Sequence, residues 1–443
     1  VERARTGGDC LWTGCVPSKA LIAAANLAHR MRQADAVGLA PHEPEIDFAQ
    51  VMDHVRRTQR RIAPQDSVER LRRAGVEVIE ADARFLGPGR IQAGHRVLSW
   101  RTAMIATGSE PSVPPVSGLA EAGPLTSENL WALSQLPGRL VVLGGGPIGC
   151  ELGQAFARIG SRVTLVEMAP RLLGREEPAA STLIEDRLRG DGVDVRTGVT
   201  PEVVADGVVH LSGGDRVPFD RILVAAGRRP RTGGLGLDAV AVCTDDRGAV
   251  TVDERLRTSA PRIFAVGDVT GGLPFTHVAA YHARIATVNA LFGGRGRSSY
   301  AAVPWVTFTD PEVGRVGLTE TEARLRWGEA ATTTSFEYAE LDRAITAGEA
   351  YGFAKLVGDP RRRLVGATVC APAGGEAIAE LAARVAQGCR IDDVSRTVHA
   401  YPTFAEGPAR AADAHLRARL LGSRTRALAR PALAALRSID ALR

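Results

Sequence analysis

Cys10 and Cys15 stand five positions apart in the stretch Gly7-Gly8-Asp9-Cys10-Leu11-Trp12-Thr13-Gly14-Cys15-Val16-Pro17-Ser18-Lys19. Two thiols at short spacing are the first chemistry the chain offers, because they can exchange an electron pair by joining and parting. On a regular helix this spacing turns the side chains about 140° apart, so a bond between them needs a distorted turn, which Gly14 permits. Beyond it, Pro17 suits the first turn of a helix, and Ala20 to Leu27 are good helix formers. Cys15 then lies near a helix N-terminus, where the dipole favours thiolate. The arrangement suits a dithiol that opens and closes during turnover; the plain alternative is two buried cysteines in a core segment. Lys19 adds to the first reading. Of the 55 Lys plus Arg residues only Lys19 and Lys355 are lysine, so a compact point charge is expected to be needed at Lys19.

A second constellation could bind a nucleotide. The apolar run Leu140-Val141-Val142-Leu143 is followed at once by Gly144-x-Gly146-x-x-Gly149 and by the helix-compatible stretch Glu151 to Ile159. Val163 to Val166 then reads as a strand ending in Glu167, 23 residues after Gly144. Strand, glycine turn, helix, strand and acid in this order are the signature of dinucleotide binding. The glycines let a pyrophosphate approach the helix N-terminus, and Glu167 would accept from a ribose 2′-hydroxyl and repel a 2′-phosphate. NADH is therefore expected, with NADPH as the alternative because Arg171 lies close by.

These residues need elements to hold them. Met52 to Arg73 has helical periodicity, and Val76 to Ile79 alternates as a strand. Arg90-Ile91 and Val97-Leu98 read as a hairpin. Ala103 to Ser109 reads as a buried strand entering a tight Thr107-Gly108 turn, with a stiff connection through Pro111, Pro114 and Pro115. Gly118 to Pro137 is a linker with one helix, and Val193 to Val217 reads as short strands. Strands are expected near Arg221 to Ala226, Ile263 to Val266, Phe353 to Val357 and Leu364 to Val369, with helices around Glu376 to Ala386 and Ile391 to Val398.

At 443 residues the chain has room for about three domains, each with its own core. Apolar content of 45% and charged content of 24% are ordinary for a globular protein. A net charge of +5, spread along the chain, gives no reason to expect nucleic acid as a partner. No apolar run is long enough for a membrane span, and no secretory signal is visible. Six cysteines are too few for a disulfide scaffold; Cys150, Cys243, Cys370 and Cys389 read as structural thiols. A reducing, cytoplasmic location fits a catalytic disulfide that has to be reduced. The chain begins with Val1, and Val1-Glu2 looks like the end of a strand. Glu2 looks like the acid that closes a first βαβ unit, whose glycine turn is expected about 20 or more residues upstream.

Taken together, the motifs closely resemble the class I pyridine nucleotide-disulfide oxidoreductases, the flavin-dependent family of dihydrolipoamide dehydrogenase, glutathione reductase and mercuric reductase. The resemblance runs as far as residue 412. It implies an α/β fold with three-layer Rossmann-like FAD- and NAD(P)-binding domains and an α+β dimerisation domain. The expected boundaries are 1–118 and 246–298 for the two parts of the FAD-binding domain, 119–245 for the NAD-binding domain, 299–412 for the dimerisation domain, and 413–443 for a basic tail. The resemblance implies that Cys10 exchanges with substrate, that Cys15 contacts the flavin as a charge-transfer thiolate, and that Lys19 lies near flavin N5. Glu151 would pair with Lys19; a solvated helix glutamate is its bland alternative. Thr107 and Gly108 would form the turn between the flavin and nicotinamide domains, and Gly227, in Gly227-Arg228-Arg229-Pro230, the turn that closes the latter. Asp268 would accept from a ribityl hydroxyl of FAD, or act only as a helix cap, and Ala279 would lie on the helix under the flavin ring. Position 147 departs from several relatives, which carry an aromatic gate where this chain has Pro147.

The substrate-deciding stretch is His399-Ala400-Tyr401-Pro402-Thr403-Phe404-Ala405-Glu406. Tyr401 holds the place of the acid/base histidine of glutathione reductase and dihydrolipoamide dehydrogenase, while Glu406 remains. A histidine titrates near about 6.5 and a tyrosine near about 10, so Tyr401 is a poor proton shuttle at neutral pH. His399 would share a face with Tyr401 on a strand, though it reads better as a structural or surface histidine. Tyr401 with the following Glu-Gly resembles mercuric reductase, but no cysteine follows Cys389, so the C-terminal cysteine pair of that enzyme is absent. The expected activity is a mercuric reductase-like homodimeric flavoprotein that passes electrons from NADH through FAD and a Cys10–Cys15 disulfide to a disulfide, a metal ion or another small acceptor. Dihydrolipoamide dehydrogenase is the second reading, and a flavin-free remnant that only binds NAD or dimerises is the third. Ala411 to Arg443 carries seven Arg and reads as a solvated helix packing on the dimer, with contact to an anionic membrane as the lesser alternative.

Overall fold

Continuous apolar runs become strands where both faces of a sheet are covered, and the nucleotide-motif region follows this rule. In the computed structural model, which describes residues 1–421 with Arg430 and Pro431, four parallel strands lie in the order Arg221–Val224, Arg139–Leu143, Arg162–Glu167 and Asp194–Thr197. Leu140 sits opposite Val163, and Ile222 opposite Val141. Val141, Leu143, Val166 and Val224 pack with Val204, Val209 and Leu211 of a three-stranded antiparallel sheet. The other face takes the helix Pro147–Arg158. Leu140 to Leu143 are all buried, each such side chain contributing about 1.5–3 kcal/mol over exposure.

The chain divides into two compact units. The first contains Val1–Gly174 and Glu185–Tyr300. Beside the parallel sheet it holds the helices Gly8–Trp12 and Cys15–Arg32, the antiparallel meander Ala83–Gly87, Arg90–Ala93 and Arg96–Ser99, and the parallel pair Ala103–Ile105 and Ile263–Ala265. A core of Phe85, Ile105, Val250, Ile263 and Ala265 joins the meander to the parallel pair. The short strands Ser109–Pro111 and Arg228–Pro230 pair antiparallel. Helix Thr276–Phe292 follows the Gly267–Thr270 turn.

The second unit contains Arg175–Ile184 with the chain from Ala301 onward. Its antiparallel sheet runs Pro304–Thr307, Glu312–Gly317, Leu364–Ala371, Phe353–Gly358, Thr332–Glu337. Helices Gly374–Ala386 and Glu406–Leu420 pack on it around Tyr338, Leu356, Val369 and Leu381. The segment Arg175–Ile184 is tied in by buried ions: Lys355 Nζ lies 3.1 Å from Glu177 Oε2 and 2.8 Å from Glu320 Oε2, and Trp305 Nε1 donates to Glu176 Oε1 at 2.8 Å. Among the described residues no helix is long and apolar enough to cross a membrane.

Local readings depart from the sequence in three places. Val76 to Ile79 is not a strand: its neighbourhood pairs only at one parallel bridge, Glu2 to Glu80, with Glu2 N–H donating to Ile79 O at 3.0 Å. A strand needs a partner along its length, and alternation alone does not provide one. The linker helix is a single tight turn, Leu130–Ala132. His399 and Tyr401 do not share a strand face, because the chain from His399 to Tyr401 forms no strand. Of the basic tail, residues 413–421 continue helix Glu406–Leu420 or its cap, and most of the remainder lies outside the described residues.

Candidate active site

The cysteine stretch folds as two helices broken at Thr13-Gly14, not as one. Thr13 and Gly14 N–H both donate to Asp9 O, at 2.9 and 2.5 Å, closing the first helix and turning the chain. A Cβ on Gly14 would lie 3.0 Å from that same oxygen, so the turn needs glycine for close approach. Gln59, buried on helix Phe48–Ile62, donates to Leu11 O and Trp12 O at 3.1 and 2.9 Å, and Trp131 Nε1 donates to Thr13 O at 3.0 Å. Helix Cys15–Arg32 then starts at Cys15 itself, with glycine as its cap and no side-chain cap, and ends in His29, Arg30 and Arg32, which suit its dipole.

The break brings the two sulfurs within hydrogen-bonding reach as free thiols. The Cys10 thiol donates to Cys15, which lowers Cys15 to about 6 against the opposing effect of burial; the Thr276 hydroxyl and the Lys19 charge act in the same sense. Cys10 shifts the other way, held protonated by the same hydrogen bond, by burial and by the Cys15 charge. Thr276 Oγ1 lies 3.7 Å from Cys15 Sγ at the first position of helix Thr276–Phe292. Lys19, one turn along from Cys15, lies 2.7 Å from Glu151 Oε2, and the Glu151 side chain is only 7% exposed. A solvated glutamate is thus excluded at 151.

Around the nucleotide turn, each glycine has its own reason. Gly144 has φ of 112°, and a Cβ there would meet Ala225 O at 2.6 Å. A Cβ on Gly149 would lie 1.8 Å from Gly144 O. Gly146, the helix cap, has open space around it, as a site for an approaching phosphate requires. Glu167 Oε2 accepts from Gly145 N–H at 2.6 Å and Oε1 from Ala169 N–H at 2.7 Å, leaving further lone pairs on each oxygen. Arg171 Nη2 donates to Gly174 O at 2.6 Å.

In the first turn of Gly267–Thr270, Asp268 Oδ2 accepts from Ser109 Oγ at 2.6 Å. Thr107 Oγ1 donates to Arg231 O at 2.6 Å. Gly108, with φ of 67°, and Gly227, with φ of 119°, take backbone conformations that disfavour other residues. A Cβ on Gly267 would lie 3.1 Å from Ala279 Cβ, so both positions are kept small where helix Thr276–Phe292 begins. Glu2 accepts from Ala4 N–H at 2.9 Å beside its bridge to Glu80. A glycine-lined helix start with an acid after the next strand, and a second acid beside a small-residue helix start and a thiolate, fit a nicotinamide dinucleotide and a flavin respectively.

Tyr401 and Glu406 belong to the second unit. Tyr401 is 65% exposed, and its hydroxyl donates to Asp342 Oδ2 at 2.7 Å, which raises it above the ordinary tyrosine value. Glu406 is buried; one oxygen takes Arg410 Nη2 at 2.6 Å, and Oε2 has no hydrogen-bond partner among the described residues. His399 is held by Glu380 Oε2 and Thr397 O, both at 2.9 Å, as a structural histidine. Sequence reasoning missed Thr276, Gln59 and Asp9. Only Thr276 had a signal, its place just before the His277-Val278-Ala279-Ala280 stretch.

The fold and the paired thiols define a pyridine nucleotide-dependent disulfide oxidoreductase. The chain belongs to the pyridine nucleotide-disulphide oxidoreductase family: the family model of that description matches residues 1–283, and the model of its dimerisation domain matches residues 303–412. It is 37% identical over 430 residues to mercuric reductase of Streptomyces lividans, covering 92% of this chain and 88% of that protein. It is also 37% identical over 440 residues to dihydrolipoyl dehydrogenase of Thermus scotoductus, covering 94% and 91%. Among solved structures, LpdA from Mycobacterium tuberculosis has a TM-score of 0.85 at 28% identity over 93% of this chain and 92% of that one. The HOCl-induced flavoprotein disulfide reductase RclA from Escherichia coli has a TM-score of 0.82 at 28% identity, again over 93% and 92%. The cofactors of the family are FAD and NAD(P)H, so the chain is an NAD(P)H-dependent flavin disulfide oxidoreductase with a dimerisation domain.

Proposed function

We propose that Cys10 and Cys15 are the redox dithiol through which this enzyme reduces a small acceptor, in a mercuric reductase-like rather than a lipoamide-specific manner. The observation that carries this reading is the Cys15 sulfur at the first position of a helix, hydrogen-bonded by Cys10 and held at about 6. FAD, when bound, supplies the electron pair taken from NAD(P)H. Cys15 keeps its charge at neutral pH; Lys19, fixed by Glu151, and Thr276 hold that charge in place. Cys10 gives up its proton as its sulfur bonds to one sulfur of an acceptor disulfide, and the other sulfur leaves as thiolate. Cys15 then attacks Cys10, closing the Cys10–Cys15 bond and releasing the second half of the acceptor. The dithiol loses two electrons and the acceptor gains two. Replacing Cys10 with Ser is expected to abolish acceptor reduction and to leave reduction of the bound flavin by NADH intact; unchanged acceptor turnover refutes the role.

Tyr401 supports a metal ion or an unusual disulfide over lipoamide as the acceptor, since its hydroxyl is committed to Asp342 and raised away from neutrality. One structural neighbour is described as a Cu(II) complex of RclA, which puts cupric ion beside mercuric ion, quinones and low-molecular-weight disulfides in the screen. Dihydrolipoamide dehydrogenase is the competing reading, favoured by the Thermus relative, and lipoamide turnover decides it. Glu167 with its free lone pairs, and Arg171 turned to Gly174 O, support NADH as the donor. A homodimer and a cytoplasmic setting belong to the same proposal. Val398 at 97% exposure and Ile345 at 55%, apolar and in the dimerisation domain, support the former, and the need to keep a catalytic disulfide reducible supports the latter.

A further inference from the structure

The residue before the exchange cysteine is an acid, and it is held from far along the chain. Asp9 Oδ2 accepts from Arg228 Nη2, and Arg231 Nη1 lies 3.8 Å from Asp9 Oδ1. The Arg228 guanidinium is used on every nitrogen. Nε donates to Ser109 Oγ at 2.7 Å, Nη1 to Ser127 Oγ at 3.2 Å, and Nη2 also to Ser109 O at 2.8 Å. Ser109 Oγ in turn donates to Asp268 Oδ2 at 2.6 Å, and Arg228 Nε is 4.0 Å from that same oxygen. One side chain, only 19% exposed, therefore joins the cysteine turn to the turn that carries Asp268. The backbone oxygen of Asp9 is also the acceptor that closes the Thr13-Gly14 break, so pinning Asp9 pins the break that sets Cys10 against Cys15.

We infer that Arg228 is a positioning residue for the dithiol: through Asp9 it fixes the Cys10 turn and neutralises the carboxylate next to the exchange sulfur. The inference rests on the reading of Cys10 as the exchange thiol. An anion one residue from Cys10 opposes thiolate there, and a paired anion opposes it less. Arg228 and Arg231 face the Asp9 carboxylate, while the charged or titrating groups about the two thiols are the thiols themselves, Lys19 and Glu151, and none of these changes in the variants alkylated below. A planar guanidinium with five donors can bind Asp9, Ser109 and Ser127 at once; a lysine ammonium cannot reproduce that fork.

The test is the pH dependence of Cys10 alkylation by iodoacetamide in the reduced full chain, read peptide by peptide, for the parent, Arg228→Met, Arg228→Lys and Asp9→Asn. Arg228→Met should move the Cys10 profile up by about one pH unit and slow alkylation at neutral pH roughly tenfold, because Asp9 is left less compensated. Asp9→Asn should move it down, because the arginines remain without the acid. Arg228→Lys should restore part of the shift. Opposite signs for Arg228→Met and Asp9→Asn separate this role from simple loosening of the turn, which moves both in one direction. Profiles that superimpose on the parent, or that shift the same way, overturn the inference. Should Arg228→Met fail to fold, Arg228→Lys and the half-exposed Asp9→Asn still decide the sign. Acceptor turnover in Cys10→Ser is measured alongside. If it survives, the exchange role of Cys10 falls; if it is lost while the profiles superimpose, only the Arg228 role falls.

Discussion

Four cysteines of this chain fall into two environments. Cys10 and Cys15 meet across a helix break, with a helix start, a hydroxyl and a lysine around them, and one of them is lowered to about 6. Cys150 and Cys370 are fully buried, one behind the nucleotide turn with its thiol donating to Gly145 O at 3.3 Å, the other within a central strand of the second unit. Burial, with nearby carboxylates, pushes both of these well above the ordinary thiol value. The same side chain is thus reactive or inert according to what solvates its charge. A buried thiolate without donors has nothing to replace water; Cys15 has a thiol, a hydroxyl and an ammonium in its place.

The largest break of this contrast is Cys15→Ser, which should lower acceptor turnover on the order of a thousandfold in steady-state assays, since a serine cannot close a bond to Cys10. Next is Lys19→Met. It removes the cation paired with the buried Glu151 carboxylate, and should cost about 2–3 kcal/mol in denaturant unfolding and raise the alkylation midpoint of Cys15 from about 6. In the parent, Cys15 should be alkylated with that midpoint while Cys150 and Cys370 stay unmodified until the chain unfolds, as mass mapping would show.

The linkage has a definite sign. Cys15 is lowered from 9.0 to about 6, so its ionisation favours the folded state. That contribution is complete above about 9 and is lost as pH falls through about 6; Cys10, raised, works in the opposite sense at alkaline pH. Thermal melts of the reduced parent and of Cys15→Ser should therefore converge as pH falls from 9 to 6. Cys150→Ala should cost about 1 kcal/mol and leave turnover unchanged, which would mark its environment as purely structural. Smallest is Tyr401→Phe. It removes an exposed hydrogen bond to Asp342 and should change stability by no more than about 0.5 kcal/mol; any larger change in acceptor turnover would assign the hydroxyl to acceptor handling.

Legibility followed sequence distance. The strand, glycine turn, helix and acid from Leu140 to Glu167 were readable because each part constrains its neighbour within one supersecondary unit. The helix that starts at Cys15 was readable for the same reason. The Lys19–Glu151 pair, 132 positions apart, was reached only through the family resemblance. Thr276 beside Cys15, 261 positions away, had as its signal only its place before the His277-Val278-Ala279-Ala280 stretch, and the contact of Arg228 with Asp9, 219 away, had none. The false strand at Val76 to Ile79 shows the converse: a correct period without a partner along its length is not a strand.

The amino-acid order alone determined which groups are available: two thiols with a glycine between them, a dinucleotide turn, a rare lysine, and a tyrosine ahead of Pro402 and Glu406. Those choices are local, since a residue type fixes what its atoms can do and short spacing fixes what its own backbone allows. Tertiary structure decided which charges stand beside which sulfur, and so which thiol ionises and which keeps its proton. That decision depends on distances of a few ångströms between segments brought together from hundreds of residues apart, because charge interactions and desolvation act through space and not along the chain.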